Sequence, residues 1–158
     1  MILVENNFLN LKDFLNVKNF LESNETSWYY QESMTTNKKD YCFFSHMFFN
    51  NYQILSNGFE LIKPVLKKLK CKALIHIRAN MTINTNEPYE SSWHCDYDYP
   101  DFKTAIIYMN SCNGYTVFKN KKIKSEENTI VIFPGETKHK MQNQTDSKKR
   151  IVINFNYV

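Results

Sequence analysis

Arg150-Ile151-Val152-Ile153-Asn154-Phe155-Asn156-Tyr157 alternates with a period of two. Successive side chains of a strand point to opposite faces. Ile151, Ile153, Phe155 and Tyr157 therefore form one apolar face, and Arg150, Val152, Asn154 and Asn156 form the other. A half-exposed antiparallel strand leaves its polar face in water. Here that face opens with an arginine, and the residues upstream give an arginine something to serve. The polar face is therefore expected to be a cavity wall, with Arg150 and Asn154 lining it.

Working back from this strand, Thr129-Ile130-Val131-Ile132-Phe133 is a short apolar run stopped by Pro134-Gly135, with His139 just beyond. Thr104-Ala105-Ile106-Ile107-Tyr108-Met109-Asn110 reads as another strand. Asn113-Gly114 follows as a tight-turn signal, and Tyr115-Thr116-Val117-Phe118 is the predicted partner strand of a hairpin.

Further upstream stands His94-Cys95-Asp96. By chance alone His-x-Asp is expected roughly 0.15 times in a chain with this many His and Asp, so the tripeptide gains its meaning from context. If the segment is extended, His94 and Asp96 share a face and Cys95 points away, which makes Cys95 a structural thiol. His94, Asp96 and His139 are then the ligand set of a 2-His-1-carboxylate triad. Such a triad holds ferrous iron on one face and leaves positions open, although a set of this kind also holds zinc. Arg150 is placed to pair a carboxylate through two parallel hydrogen bonds.

These residues resemble the iron- and 2-oxoglutarate-dependent oxygenase superfamily, and in particular small prolyl-hydroxylase-like members of the kind carried by marine bacteriophages. The resemblance runs through Phe8-Leu9, Ser27-Trp28-Tyr29-Tyr30, Phe44-Ser45-His46-Met47, Ile77-Arg78-Ala79-Asn80, Trp93-His94-Cys95-Asp96, Thr104 to Asn110, Gly114 to Phe118, and the block from His139 to Asn156. It implies a mostly β chain with supporting helices, folded as a double-stranded β-helix (a jelly roll) with N-terminal helices packed on one sheet.

The resemblance also implies Fe(II) held by His94, Asp96 and His139. 2-Oxoglutarate would be clamped by Arg150 with help from the Tyr108 hydroxyl, and O₂ would be the oxidant. Hydroxylation is the implied outcome, because Asp96 fills the position a halogenase leaves open. Many relatives carry another tyrosine upstream of His-x-Asp. Here that strand offers Arg78 and Asn80, which are expected to touch co-substrate or substrate. The implied substrate is a peptidyl side chain such as proline. A free amino acid or small metabolite is the alternative, as is a non-catalytic cupin-like metal module. Nucleic-acid demethylases of the family typically carry a second arginine six residues after the first. Asn156 stands there, which argues against a nucleic-acid substrate.

Composition sets the outer limits. A chain of 158 residues reads as one domain, 1–158, with 1–75 as helix and strand support and 76–158 as the catalytic core. Twelve Phe, ten Tyr and two Trp supply ample apolar surface, while three Gly leave no phosphate-cradling loop. No apolar run approaches the ~18–20 residues that span a bilayer. Glu5 interrupts the apolar start, unlike a signal peptide. Four Cys without Cys-x-x-Cys spacing read as free thiols of a reducing cytosol, so a cytoplasmic protein is expected. The net charge of +4 resides in lysine clusters that read as solvated surface.

In the support region, Leu11, Phe14, Leu15, Phe20 and Leu21 approximate helical spacing. Phe59, Ile62, Val65, Leu66 and Leu69 do so again after Asn57-Gly58, with Pro64 in the early part. Trp28–Tyr30 and Tyr41–Phe49 read as strands. The polar segment from Thr82 to Ser92 reads as a loop entering His94, and Asp98 as surface. His46 and His76 are expected to be buried, hydrogen-bonded histidines, and Trp93 to serve packing.

Overall fold

The computed structural model describes residues 1–158 apart from Lys38 and Pro100. The first half contains β1 (Leu3–Glu5), α1 (Leu11–Glu22), β2 (Tyr29–Gln31), β3 (Phe43–Asn50), β4 (Gln53–Ile54), α2 (Phe59–Leu69) and β5 (Leu74–Ile83). The second half contains β6 (Lys103–Tyr108), β7 (Tyr115–Phe118), β8 (Lys121–Lys124), β9 (Ile130–Pro134), β10 (His139–Gln142) and β11 (Lys149–Tyr157).

The strands form two antiparallel sheets. The larger runs β1-β9-β6-β11-β5-β3-β2, with β4 paired to β3, and the smaller runs β10-β7-β8. Strands from the first 75 residues thus enter the larger sheet at both edges, with β1 beside β9 and β3 beside β5.

The last strand sits at the middle of the larger sheet, hydrogen-bonded to β5 and β6 along most of its length. Ile151, Ile153, Phe155 and Tyr157 face one way and join a core with Ile77, Ala79, Ala105 and Ile107. The same core holds Phe14, Val17, Phe20 and Leu21 of α1 and Phe59, Ile62 and Val65 of α2. A second cluster lies on the other face, where Phe118 of β7 meets Ile106, Tyr108, Val131, Phe133 and Val152. Phe118 and Phe133 contact edge to face, with ring centres 5.0 Å apart. Both faces of β11 are therefore covered, and Arg150 and Asn156 are only 4% and 3% exposed.

Local signals explain the helices. Asn10 caps α1, its side-chain oxygen accepting from the Asp13 N–H at 3.0 Å, which satisfies an otherwise unpaired donor. The buried stripe of α1 is Phe14, Val17, Phe20 and Leu21. Leu11 and Leu15, expected on that stripe, are exposed at 70% and 39%. Gly58 precedes α2 because a Cβ there would meet Cε1 of Phe20 at 2.3 Å, so the glycine lets the two helices approach. Pro64 lies inside α2, at the cost of one i→i−4 hydrogen bond.

One strand pairing expected from sequence does not form. Residues 104–110 and Tyr115–Phe118 do not make a hairpin across Asn113-Gly114, because β6 pairs with β11 and β9 while β7 belongs to the smaller sheet. A two-residue type I′ turn needs positive φ at both central residues, and neither Asn113 nor Gly114 has it. The segment instead carries the chain from one sheet to the other. β1, β4, β8 and β10 carry no strand signal in the sequence; each has at most four residues. All four cysteines are free. Among the described residues, no helix is long and apolar enough to cross a membrane.

Candidate active site

Between the two sheets lies a cavity of ≈ 210 Å³. Arg78, Asn80 and Thr82 of β5 and Arg150, Val152 and Asn154 of β11 line one side, and Thr116, His139 and Met141 of the smaller sheet face them. The polar face of the last strand is thus a cavity wall, as its alternation suggested.

His94 and His139 are brought together by their backbones. The His94 N–H donates to the His139 carbonyl at 3.0 Å and the His139 N–H returns a bond to the His94 carbonyl at 2.9 Å. Each imidazole is then oriented in the same way. Nδ1 of His94 donates to the Ser92 carbonyl at 3.1 Å, and Nδ1 of His139 donates to the Thr137 carbonyl at 3.0 Å. With the proton on Nδ1, each Nε2 keeps a lone pair for a ligand. Burial holds His139 below its ordinary pKa, which keeps that lone pair available.

Asp96 completes the group. Its Oδ1 lies 3.9 Å from both Nε2 atoms, and the three ligand atoms lie within 4.8 Å of one another. Its Oδ2 accepts from Thr104 Oγ1 at 2.8 Å and from Asn156 Nδ2 at 2.9 Å. Burial alone would raise the Asp96 pKa, but the His139 imidazole and these two hydrogen bonds outweigh it and hold the carboxyl below its ordinary value. Two imidazoles with Nε2 turned inward and one carboxylate oxygen, each with its rear atom hydrogen-bonded, suit a divalent ion with open coordination positions.

At the other end of the cavity Arg150 is buried with Nε unpartnered. Its Nη2 donates to Thr116 Oγ1 at 3.4 Å, and its guanidinium carbon lies 5.4 Å from the centre of the Tyr108 ring. Tyr108 is fully buried and donates its hydroxyl to the same Thr116 oxygen at 2.8 Å. It stands behind the wall rather than among its lining residues. Gly114 has its glycine for this site, since a Cβ there would lie 2.7 Å from Cδ of Arg150. Asn80 Oδ1, Asn154 Oδ1 and Arg78 Nε are also buried without a partner. Native interiors rarely leave such groups unpaired. Among the described residues four such atoms surround one cavity, which suits it to a polar guest.

Sequence reasoning missed three residues that hold the others in place. Thr104 and Asn156, paired across β6 and β11, act on Asp96, and Thr116 reaches from the smaller sheet to Tyr108 and Arg150 in the larger one. The alternation of β11 already put Asn156 on the polar face, and Thr104 shares its parity with Tyr108. Cys95 corrects an expectation. His94 makes only an isolated bridge and Asp96 lies in a bend, so strand parity does not apply and Cys95 lines the cavity beside the ligands. Asp98 and Trp93 are exposed. His46 is buried, bonded to the Ser27 carbonyl at 2.9 Å and Ser56 Oγ at 2.7 Å. His76 is half-buried in register with Asn156.

No protein-family model matches the chain, and no curated protein matches it in sequence. Solved structures match it in fold. A 2OG-Fe(II) oxygenase family oxidoreductase from Burkholderia pseudomallei aligns over 99% of this chain and 84% of its own, with a TM-score of 0.69 and 8% identity. The alpha-ketoglutarate-dependent epimerase SnoN of nogalamycin biosynthesis aligns over 99% and 77%, with a TM-score of 0.69 and 9% identity. A prolyl hydroxylase from Trichoplax adhaerens, in complex with a hypoxia inducible factor peptide fragment, aligns over 99% and 82%, with a TM-score of 0.65 and 14% identity. At these identities the likeness concerns architecture: the chain shares the fold of the 2OG-Fe(II) oxygenases.

Proposed function

We propose that the chain is an Fe(II)- and 2-oxoglutarate-dependent oxygenase that hydroxylates a C–H bond. The observation that carries this reading is the pairing of two incomplete sites in one cavity. His94, Asp96 and His139 converge at one end, and at the other stands a buried guanidinium with no carboxylate within 4 Å among the described residues.

His94, Asp96 and His139 would hold the iron, and Arg150 would receive the far carboxylate of 2-oxoglutarate as a bidentate partner. Thr116 fixes one edge of that guanidinium, and Tyr108 fixes Thr116. When bound, the iron would activate O₂, and 2-oxoglutarate would supply two of the four electrons that O₂ takes up, the C–H bond supplying the other two. Overall, R–H, 2-oxoglutarate and O₂ give R–OH, succinate and CO₂. The chain's own residues orient the ligands, turn the Nε2 of both imidazoles inward through the bonds at Nδ1, and enclose the reacting C–H bond.

The substrate reading is a peptidyl side chain, with proline as the example that the peptide-bound neighbour offers. A free amino acid or small metabolite is the second reading. The cavity favours it, because ≈ 210 Å³ is below the ~300 Å³ of ordinary ligand pockets and must also hold the co-substrate.

Anaerobic titration of the apo-protein with Fe(II) and 2-oxoglutarate tests the proposal. A weak visible charge-transfer band is expected with the native chain and is expected to vanish in Asp96→Ala. Bound metal without a band would overturn the oxygenase reading in favour of a cupin-like binding module.

A further inference from the structure

Arg78 has no role in the chemistry above. It lies on β5, in register with Asn154 of β11 on one side and Met47 of β3 on the other. Its side chain enters the same cavity as the triad. Nε is buried without a partner, as is Oδ1 of the adjacent Asn154. The guanidinium carbon lies 5.3 Å from the centre of the Phe43 ring, which gives the planar group a wall to rest on. Among the described residues, no carboxylate lies within 4 Å of it.

Its place along the cavity is defined by register. Thr82 of β5 faces Arg150, whereas His76 faces the Asn156 that holds Asp96. Arg78 is four residues from Thr82, about 13 Å along a strand at ~3.3 Å per residue, and only two from His76. It therefore belongs to the metal end and Arg150 to the other.

Charge counting then singles it out. Among the described residues, Asp96 is the sole carboxylate lining the cavity, and Lys140, the remaining lysine or arginine there, is bonded to Glu90 outside it. Resting on the oxygenase reading, a divalent ion and Arg150 together balance Asp96 and a dicarboxylate co-substrate. The charge of Arg78 is left over, and a desolvated cation without a counter-charge is costly. A neutral peptidyl side chain such as proline brings no such charge.

The geometry points to Arg78 as the residue that binds the carboxylate of the primary substrate, which makes that substrate a small carboxylic acid, such as a free amino acid. The carboxylate docks on the guanidinium fork as a bidentate pair. Asn154 and Asn80 accept hydrogen bonds from the rest of the molecule. The substrate is thereby held at the metal end, where its neighbouring C–H bonds meet the triad.

The test loads the full chain with nickel(II), as an inert divalent ion, and saturating 2-oxoglutarate. It is then titrated with acetate and propionate, against acetamide and propionamide at matched ionic strength, and read by thermal shift and calorimetry. The carboxylates are expected to bind the loaded protein and the amides are not. Arg78→Gln is expected to weaken the carboxylates about tenfold or more while 2-oxoglutarate affinity changes less than about threefold. Arg78→Lys, which keeps a point charge, is expected to fall between, and this controls for loss of folding.

No carboxylate response in the native chain, or an equal response in Arg78→Gln, would overturn the inference. So would a loss of 2-oxoglutarate affinity in Arg78→Gln as large as that in Arg150→Gln, which would assign Arg78 to the co-substrate. Failure of the native chain to bind 2-oxoglutarate at all would be a different result: it would overturn the oxygenase reading itself, and this inference with it.

Discussion

Asn156 donates its side-chain amide to Asp96 Oδ2 at 2.9 Å. The same amide donates to Thr104 Oγ1 at 2.9 Å, and Thr104 donates in turn to Asp96 at 2.8 Å. The closed triangle occupies Oδ2 and leaves Oδ1 toward the two imidazoles. Partners behind a metal ligand typically carry a factor of about 10–100 in affinity. Asn156→Leu should therefore weaken metal binding by about that factor, with the three ligands still in place. Metal titration by calorimetry checks this. Undiminished affinity would mean that Thr104 alone orients the carboxylate.

Gly114 and Arg150 make a second coupled pair. A methyl group at Gly114 would lie 2.7 Å from Cδ of Arg150 and 3.2 Å from the Gln142 carbonyl. The carbonyl is fixed in the smaller sheet, so the arginine must move. Gly114→Ala should raise the Kd for 2-oxoglutarate about tenfold or more and cost about 1–3 kcal/mol of stability. Metal affinity should remain native, because the triad lies at the opposite end. A matched loss of metal and 2-oxoglutarate binding would show general disorder rather than a displaced guanidinium.

These two pairs show where sequence reading reaches and where it stops. His94, Asp96, His139 and Arg150 are legible because their residue types and order are those a metal and a dicarboxylate require. The alternation of Arg150–Tyr157 also announces two differently covered faces. Thr104 and Thr116 are ordinary strand residues whose importance arises only when the fold sets Thr104 against Asp96 and brings Thr116 of the smaller sheet against Arg150 of the larger. Gly114 reads as a turn, yet its backbone needs no positive φ, and a neighbouring side chain explains it. Cys95 reads as facing away only if the segment is a strand; the bend at Asp96 removes that premise. β1 and β8 are too short to carry a periodic signal.

Arg150 separates stability from function. A guanidinium 4% exposed, resting on the Tyr108 ring and bonded to Thr116 at 3.4 Å but with no carboxylate within 4 Å among the described residues, burdens the ligand-free protein. Replacing even a buried ion pair with apolar side chains of similar volume is often neutral or stabilising by about 1–4 kcal/mol, and a buried cation without a counter-charge has less attraction to lose. Arg150→Met should therefore unfold at a higher temperature than the native chain when both are ligand-free. It should lose the additional stabilisation that metal-loaded native protein gains from 2-oxoglutarate. Thermal scans with and without the two ligands check both halves. A lower ligand-free Tm would mean that the arginine is already satisfied in the empty cavity.

Asp40 supports the site from two steps away and supplies a pH dependence. Its carboxylate accepts from Thr35 Oγ1 at 2.5 Å, Tyr89 hydroxyl at 2.8 Å, Ser92 Oγ at 2.9 Å and Ser92 N–H at 3.1 Å. The Ser92 carbonyl in turn accepts from His94. Burial pushes the Asp40 carboxyl up, but the donors from Thr35, Tyr89 and Ser92 outweigh it, and the folded-state pKa lies below its ordinary value. A depressed carboxyl adds stability above its unfolded pKa of about 3.9. That contribution is lost as pH falls through the folded value. Asp40→Asn should therefore be less stable than the native chain by about 1–3 kcal/mol at neutral pH, with the gap narrowing as pH falls below about 4. Urea unfolding at several pH values measures the gap. One that stays constant into acid would show that the carboxylate's charge is irrelevant and that only its shape matters to Ser92. If Ser92 does shift, the Asn variant should also bind the metal more weakly, because the carbonyl that orients His94 moves with it.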